Sequence, residues 1–383
     1  DGVPSAIRDG KINLNARLRY EWGDQQTLLP SHASTVRTRF GFTSAPVSGF
    51  QGMLEGEHVQ QIGDLDNYGV PGVQGAGKTV IADPEATELN QAWLSYSNWD
   101  TTVKGGRQRI VLDNARFVGD VAWRQNQQTF DAVNLVNNSV EDLTLNYSYL
   151  WEVNRIFGDD PALPAGLRDF TSDSHLFNVS YSGLPYGKLT AYAYLLAFEN
   201  SAPNSTATYG ASFSGSQMVA DDAVKLGYWI EYAHQTGYRN QATPGFDADY
   251  FRVEGSGTTK GITLGGGYEL LGSDGGAKGF TTPLATAHAF NGWADAFLGT
   301  PLAGLQDIYA FVGYTLPGKV PVKLVFHQFD SDFGNTDFGH EFDLLAVKSF
   351  GKYWKAVAKY AYLDGKGIIA DRQRFSGEIN FNF

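Results

Sequence analysis

The sequence predicts an all-β protein, a single antiparallel transmembrane β-barrel of about 18 strands that takes in all of residues 1–383, with short turns at one end and long loops at the other. Three observations predict it. Apolar residues recur at every second position along most of the chain, the alternating segments number about 18, and the connections between them alternate in length. Average composition hides this, because 42% apolar residues and a mean hydropathy of −0.27 are values of a soluble protein. In a barrel wall half of each strand meets lipid and half meets water, so a polar mean and a membrane location are compatible.

Helical spans are excluded. The longest apolar-aromatic run, 191–198, falls far short of the roughly 20 residues a membrane helix requires. The absence of cysteine removes disulfides, thiolate metal sites and cysteine nucleophiles together, and fits an envelope protein that crosses an oxidising compartment. The chain starts at Asp1 with no charged and apolar leader, as expected if a signal segment has been removed.

The first alternating segment shows the pattern most clearly. Ile12, Leu14, Ala16, Leu18, Tyr20 and Trp22 are apolar and the residues between them polar or charged. The same alternation returns at Leu143, Leu145, Tyr147, Tyr149 and Trp151, and at Val224, Leu226, Tyr228, Ile230 and Tyr232. The last segment sets Phe375, Gly377, Ile379, Phe381 and Phe383 against Arg374, Ser376, Glu378, Asn380 and Asn382. A terminal strand closing on an aromatic residue is the form outer-membrane assembly machinery reads. Segments start near residues 10, 34, 50, 87, 101, 126, 140, 172, 186, 205, 222, 246, 260, 305, 320, 337, 352 and 371. Their lengths suit a tilted strand crossing a bilayer, which takes about 9–11 residues.

Tight turns follow the even-numbered segments, as at 46–49, 98–100, 183–187, 258–259, 316–319 and 351. Longer stretches follow the odd ones, notably 62–86, 110–125, 153–171 and 272–304. A soluble sandwich would show the same local alternation. Strand number, regular loop asymmetry and Tyr/Trp residues near strand ends, such as Tyr20 with Trp22 and Tyr353 with Trp354, favour the membrane barrel.

A barrel of this size is too wide to be filled by its own side chains, so residues opposite the apolar stripes line a channel. Arg17 and Arg19 do so in the first strand, Arg37 and Arg39 in the second, Lys355 and Lys359 in the seventeenth, and Arg372 and Arg374 in the last. Closure brings these four strands together into one basic stripe. Glu55 and Glu57 of the third strand lie beside it and either neutralise Arg37 and Arg39 or leave an excess of cation that attracts carboxylates. The net charge of −12 then places most acids elsewhere. Asp64, Asp66, Asp83, Glu85, Asp159, Asp160, Asp169, Asp247 and Asp249 fall in or beside long loops, where they solubilise the surface or share divalent cations with lipopolysaccharide.

Two stretches carry a resemblance. One runs Gly105-Gly106-Arg107-Gln108-Arg109-Ile110 through Asp113, Asn114, Arg116, Trp123, Arg124, Gln125 and Phe130-Asp131-Ala132; the other is 282–295, from Thr282-Pro283 to Trp293-Ala294-Asp295, followed by Phe297, Leu298, Thr300, Pro301 and 304–307. Together with His327, Asp330, Asp332, Gly339, His340, Glu341 and Asp343 near the C-terminus, they resemble the alginate-export family of bacterial outer-membrane porins. The resemblance implies a monomeric barrel with an arginine-lined constriction for anionic polysaccharide or smaller solutes. It makes Arg107, Arg109, Arg116 and Arg124 candidate constriction residues. Loops 272–304 and 62–86 are candidate lids or plugs, since loops this long are commonly functional.

Other chemistry is weaker. Gly72–Thr79 matches the P-loop spacing, but Pro71 and Pro84 deny it the strand and helix that would aim amides at a phosphate. Asp330, Asp332, Asn335 and Asp337 could hold a loop calcium ion; no other cofactor is expected. The seven histidines show no zinc spacing, and a rim hydrolase using His58, His234 or His327 needs geometry the sequence does not supply. The expectation is a non-enzymatic, anion-selective porin of the Gram-negative outer membrane, passing uronates, oligosaccharides or carboxylates by diffusion. Its partners are lipid, lipopolysaccharide, solutes and the assembly machinery, not nucleic acid. The alternatives are a dedicated exporter of a polymer such as alginate and, more remotely, the hydrolase.

Overall fold

The computed structural model describes residues 3–160, 163–164, 166–221 and 223–383. A short helix, α1 (Val3–Arg8), precedes eighteen strands. The first six are β1 (Lys11–Gln25), β2 (Ser31–Thr43), β3 (Phe50–Asn67), β4 (Ala86–Asn98), β5 (Thr101–Gln108) and β6 (Thr129–Val140). Then come β7 (Leu143–Asn154), β8 (Asp169–Leu184), β9 (Gly187–Leu196), β10 (Thr206–Val219), β11 (Val224–Gly237) and β12 (Asp247–Thr259). The last are β13 (Ile262–Leu271), β14 (Leu305–Leu316), β15 (Val320–Asp330), β16 (Asp337–Phe350), β17 (Trp354–Gly365) and β18 (Arg372–Asn382). Each begins within three residues of the position expected from alternation.

Every strand pairs antiparallel with its neighbours in sequence, and β18 pairs with β1, Ala16 opposite Phe381, so no edge remains open. Closure satisfies the backbone polar groups that lipid could not. The short connections are hairpins whose geometry suits strand twist. Between β4 and β5, Trp99 and Asp100 both adopt positive φ, 46° and 54°, the mirror-image turn that joins two strands without splaying them.

Leu18, Phe40, Leu54, Leu94, Leu264, Ile308, Leu344 and Ile379 point outward and are exposed. An apolar surface wrapped around a closed barrel is a penalty in water and a match in lipid. The described residues contain no helix long and apolar enough to cross a membrane, so the strands make the crossing.

The largest buried apolar cluster lies inside the barrel. Phe117, Val118, Phe280, Leu284 and Phe297 from two loops pack on Tyr192, Tyr194, Tyr250, Phe329 and Phe338 from the strands. The lumen, expected to hold mainly water, is in its middle filled by chain.

Candidate functional site: a charged lumen crossed by two loops

Four adjacent strands, β17, β18, β1 and β2, turn Lys359, Arg372, Arg374, Arg17, Arg19, Arg37 and Arg39 inward. The register sets Arg17 directly opposite Arg37, a like-charge pair that needs compensation. The β5–β6 loop (109–128) supplies it. The Arg17 Nη1 donates to the carbonyls of Ala122, Trp123 and Arg124 at 3.1, 3.0 and 3.0 Å. Arg37 and Arg39 donate to the Gln125 carbonyl at 3.2 and 3.3 Å. The basic stripe therefore holds a loop by its main chain.

At the centre of this contact Arg124 is buried between carboxylates from three places: Glu21 of the wall at 2.9 Å, Asp295 of the β13–β14 loop (272–304) at 3.2 Å, and Asp83 of the β3–β4 loop at 3.6 Å. Arg19 reaches Glu21 at 3.4 Å and Asp83 at 3.6 Å, and Arg374 pairs with Glu21 across the β1–β18 closure. Burial works against the charge on Arg124, but Glu21, Asp83 and Asp295 together hold its pKa above the usual value.

Trp123 stacks on His288, ring centroids 3.4 Å apart, with the Arg124 guanidinium 3.9 Å from the indole centroid. His288 Nδ1 lies 2.7 Å from Asp295 and Nε2 lies 3.0 Å from the Lys359 ammonium. An Nε2 that accepts from an ammonium carries no proton, so the imidazole is neutral and donates through Nδ1. Burial, reinforced by Lys359, pushes its pKa down to about 3. Burial alone would raise Asp295, yet its cationic neighbours and the His288 hydrogen bond hold it well below the carboxylate range.

The opposite wall is acidic. Glu231, Glu254, Glu269, Asp307, Glu341 and Asp343 line it from β11, β12, β13, β14 and β16, an acidic group inside the barrel that the expectation of outer-loop acids did not include. Arg116 of the β5–β6 loop pairs with Glu269 at 2.8 Å. Asn291 donates to Glu269 at 2.6 Å and Asp307 at 3.1 Å, and the amides of Trp293 and Ala294 reach Asp343 at 3.2 Å and Glu341 at 2.7 Å. Residues 288–295 thus form a strap from the acidic wall to the basic one. Asn291, Gly292 and Asp295 hold positive φ of 55°, 84° and 59°, and a Cβ on Gly292 would strike the Glu341 carboxylate. Gly292→Ala is expected to loosen the strap, read as new protease cleavage within 286–298 in an otherwise heat-stable barrel.

On the long-loop side of the strap lies a cavity of about 600 Å³ lined by Arg124, Arg155, Arg372 and Arg374 together with Phe157, Phe170 and Leu298. Beyond the strap a smaller one, about 240 Å³, is lined by Arg252, Glu254, Glu269, Asp307 and Lys323. Arg155, placed 4.5 Å from the Phe170 ring centroid, donates to the Gly166 carbonyl, and its pKa is pushed down by burial to about 10. Arg372 donates to the Asp295 carbonyl at 2.8 Å. Among the described residues neither is in a salt bridge, which distinguishes them from Arg124.

The structure separates the remaining candidates. Glu57 pairs with Arg39, but Glu55 binds Asn90 and Gln91 at 2.6 and 3.1 Å instead of an arginine. Lys355 is exposed at the short-turn end. Arg107 lies opposite Ala92 and Asp131, on the outward row of Val103 and Leu94, and forks onto Asp131 at 2.8 and 3.0 Å; it does not reach the lumen. Arg109 is half-exposed and pairs with Asp120. Asp83, taken for an outer-loop acid, is buried among the lumen arginines; the side chains of Asp64 and Asp66 lie outside those described.

The calcium candidates do not converge. Asp332 accepts the Ser273 amide at 2.8 Å, Asp337 pairs with Lys366 at 2.8 Å, and no group of three acidic or histidine side chains among the described residues could hold a metal. Residues 72–79 form turns with no helix after them, so the P-loop spacing has no phosphate cradle. The three histidines considered for a hydrolase are dispersed, His58 on Thr87, His234 on Asp249 and His327 on Asp307. Sequence reasoning passed over Asp83, Asp295, His288 and Trp123 as site residues, because strand alternation says nothing about which loop side chains fold inward.

The family model for alginate export matches residues 12–270, about two thirds of the chain, including the first of the two resembling stretches and ending before the second. Among solved structures, Pseudomonas aeruginosa OccK9 (OpdG) is similar with a TM-score of 0.76 at 14% identity, covering 99% of this chain and 100% of that one. P. aeruginosa OpdK, solved with vanillate, has a TM-score of 0.77 at 13% identity over 98% and 99% of the two chains. Acinetobacter baumannii OccAB4 gives 0.75 at 13% over 98% of each. A comparison with curated protein sequences finds no match.

Proposed function

The chain belongs to the alginate-export family, and we propose that this member is an outer-membrane porin for small organic anions, recognised by the arginines of its outer chamber. The observation that carries the reading is the pairing in one cavity of Arg155 and Arg372, which have no carboxylate partner among the described residues, with the apolar surfaces of Phe157, Phe170 and Leu298. Guanidinium groups bind carboxylates in a planar fork, and an apolar lining favours a solute with a hydrophobic or aromatic body. Vanillate, with which OpdK was solved, is an aromatic carboxylate of this kind. Weak binding suits passage, since a solute must also leave.

Arg17, Arg19, Arg37, Arg39 and Arg374 set the positive field of that wall, and the loops crossing the lumen restrict the size of what passes. Lipopolysaccharide at the long-loop rim and the outer-membrane assembly machinery complete the partners in this reading. The family match favours a second reading, a dedicated exporter of an anionic polysaccharide, for which long polyuronates would block the current at low concentration. In planar bilayers the intact protein is expected to prefer anions, and Arg37→Gln/Arg39→Gln/Arg374→Gln to reduce that preference at least several-fold. Cation preference in the intact protein would overturn the porin reading proposed here.

A further inference from the structure

We propose that Asp295 is a tethered stand-in for the solute's own carboxylate, so that the lumen blocks itself until an incoming organic anion displaces Asp295 from the arginines and releases the strap. The inference rests on the porin reading and adds its regulation. The ion cluster balances three guanidinium groups, Arg19, Arg124 and Arg374, against three carboxylates, Glu21, Asp83 and Asp295. Only Glu21 belongs to the wall. The other two counter-charges are lent by loops, so lifting the strap leaves the wall with excess positive charge.

The fit of Asp295 is incomplete. Its contact with Arg374 is 3.7 Å long, and Arg374 Nε is buried without a hydrogen-bond partner, as is Arg372 Nε. Both arginines line the outer chamber. A free carboxylate has two oxygens and no backbone constraint, so it can satisfy donors that the tethered group leaves open. Exchanging one arginine–carboxylate contact for another conserves the charge of the cluster, and the anion shifts the strap by as much as it binds the lifted state more tightly than the docked one. The apolar lining restricts the displacing anion to a monocarboxylate with a hydrophobic body, for which benzoate is the probe.

The test is single-channel recording in chloride with and without benzoate. Wild type is expected to conduct little chloride alone and several-fold more, by conductance or open fraction, when benzoate is added on the long-loop side. Asp295→Asn, nearly the same shape without the charge, is expected to conduct at the raised level from the start and to be only blocked by benzoate. The inference is overturned if benzoate blocks wild type or leaves it unchanged, or if a heat-stable Asp295→Asn barrel records as wild type does. Should Asp295→Asn fail to assemble, the benzoate response of wild type decides alone. The porin reading fails separately, through absence of anion-preferring conductance in wild type under every condition.

Discussion

Arg124→Gln is expected to undock the β5–β6 loop and raise single-channel conductance several-fold while leaving the barrel resistant to heat and detergent. Glutamine keeps a donor but not the charge that Glu21, Asp83 and Asp295 share. Removing one partner from a buried ion cluster leaves uncompensated charge and typically costs about 3–5 kcal/mol, which shifts the ratio of docked to undocked loop by roughly 150- to 5000-fold. The wall does not depend on this contact, because its strands are hydrogen-bonded to one another around the whole circuit. Two measurements check the expectation: the conductance, and limited proteolysis between 109 and 128 in the variant alone. A variant with wild-type current and a protected loop would mean that Arg124 is dispensable for docking.

Acid is expected to open the lumen through His288. Its imidazole is neutral and buried, with a pKa pushed down to about 3 against about 6.5 in water, so the undocked strap binds a proton that the docked strap refuses. Docking therefore weakens as the pH falls below about 6.5, by up to about 1.4 kcal/mol per unit, and the loss levels off near pH 3. Asp295 does not oppose this within the window: its depressed pKa keeps its contribution intact until the pH drops below the carboxylate range. The groups facing His288 are Asp295 and Trp123 from the loops, Arg124 beside Trp123, and Lys359 from β17. Conductance should rise between pH 6.5 and 4 in wild type. It should be flat across that range in His288→Asn, whose amide nitrogen stands about where Nδ1 does.

The wall was legible because a membrane imposes period two along most of each strand: lipid selects Leu18, Phe40 and Ile379 on one side, and the same rule puts Arg19, Arg39 and Asn380 on the other. Strand ends were less legible. Ser31–Ala33, Asp169–Thr171 and Thr129–Asp131 shift their boundaries by as much as three residues, since above the lipid belt alternation weakens. Arg107 was misplaced because its family context suggested the constriction, whereas its own register, opposite Asp131 and in line with Val103, turns it outward. Asp83, His288 and Asp295 stayed hidden because a loop that folds inward buries its polar residues against charges from strands more than sixty residues away. No local pattern marks such a partner. The turn at Asn291-Gly292 and the aromatic content of 280–297 are the nearest signals, and they identify a packed loop without naming what it packs on.

The β1–β18 pairing has a consequence for the order of assembly. Arg17, Arg19 and Glu21 are among the first residues of the chain and Arg372 and Arg374 among the last, so the ladder they form cannot exist until the final strand has zipped to the first. Arg374 meets Glu21 only then. Arg124 of the β5–β6 loop and Asp295 of the strap each take an ionic partner from that junction, so those two contacts cannot form before the barrel closes. The channel acquires its selectivity and its obstruction in the same event.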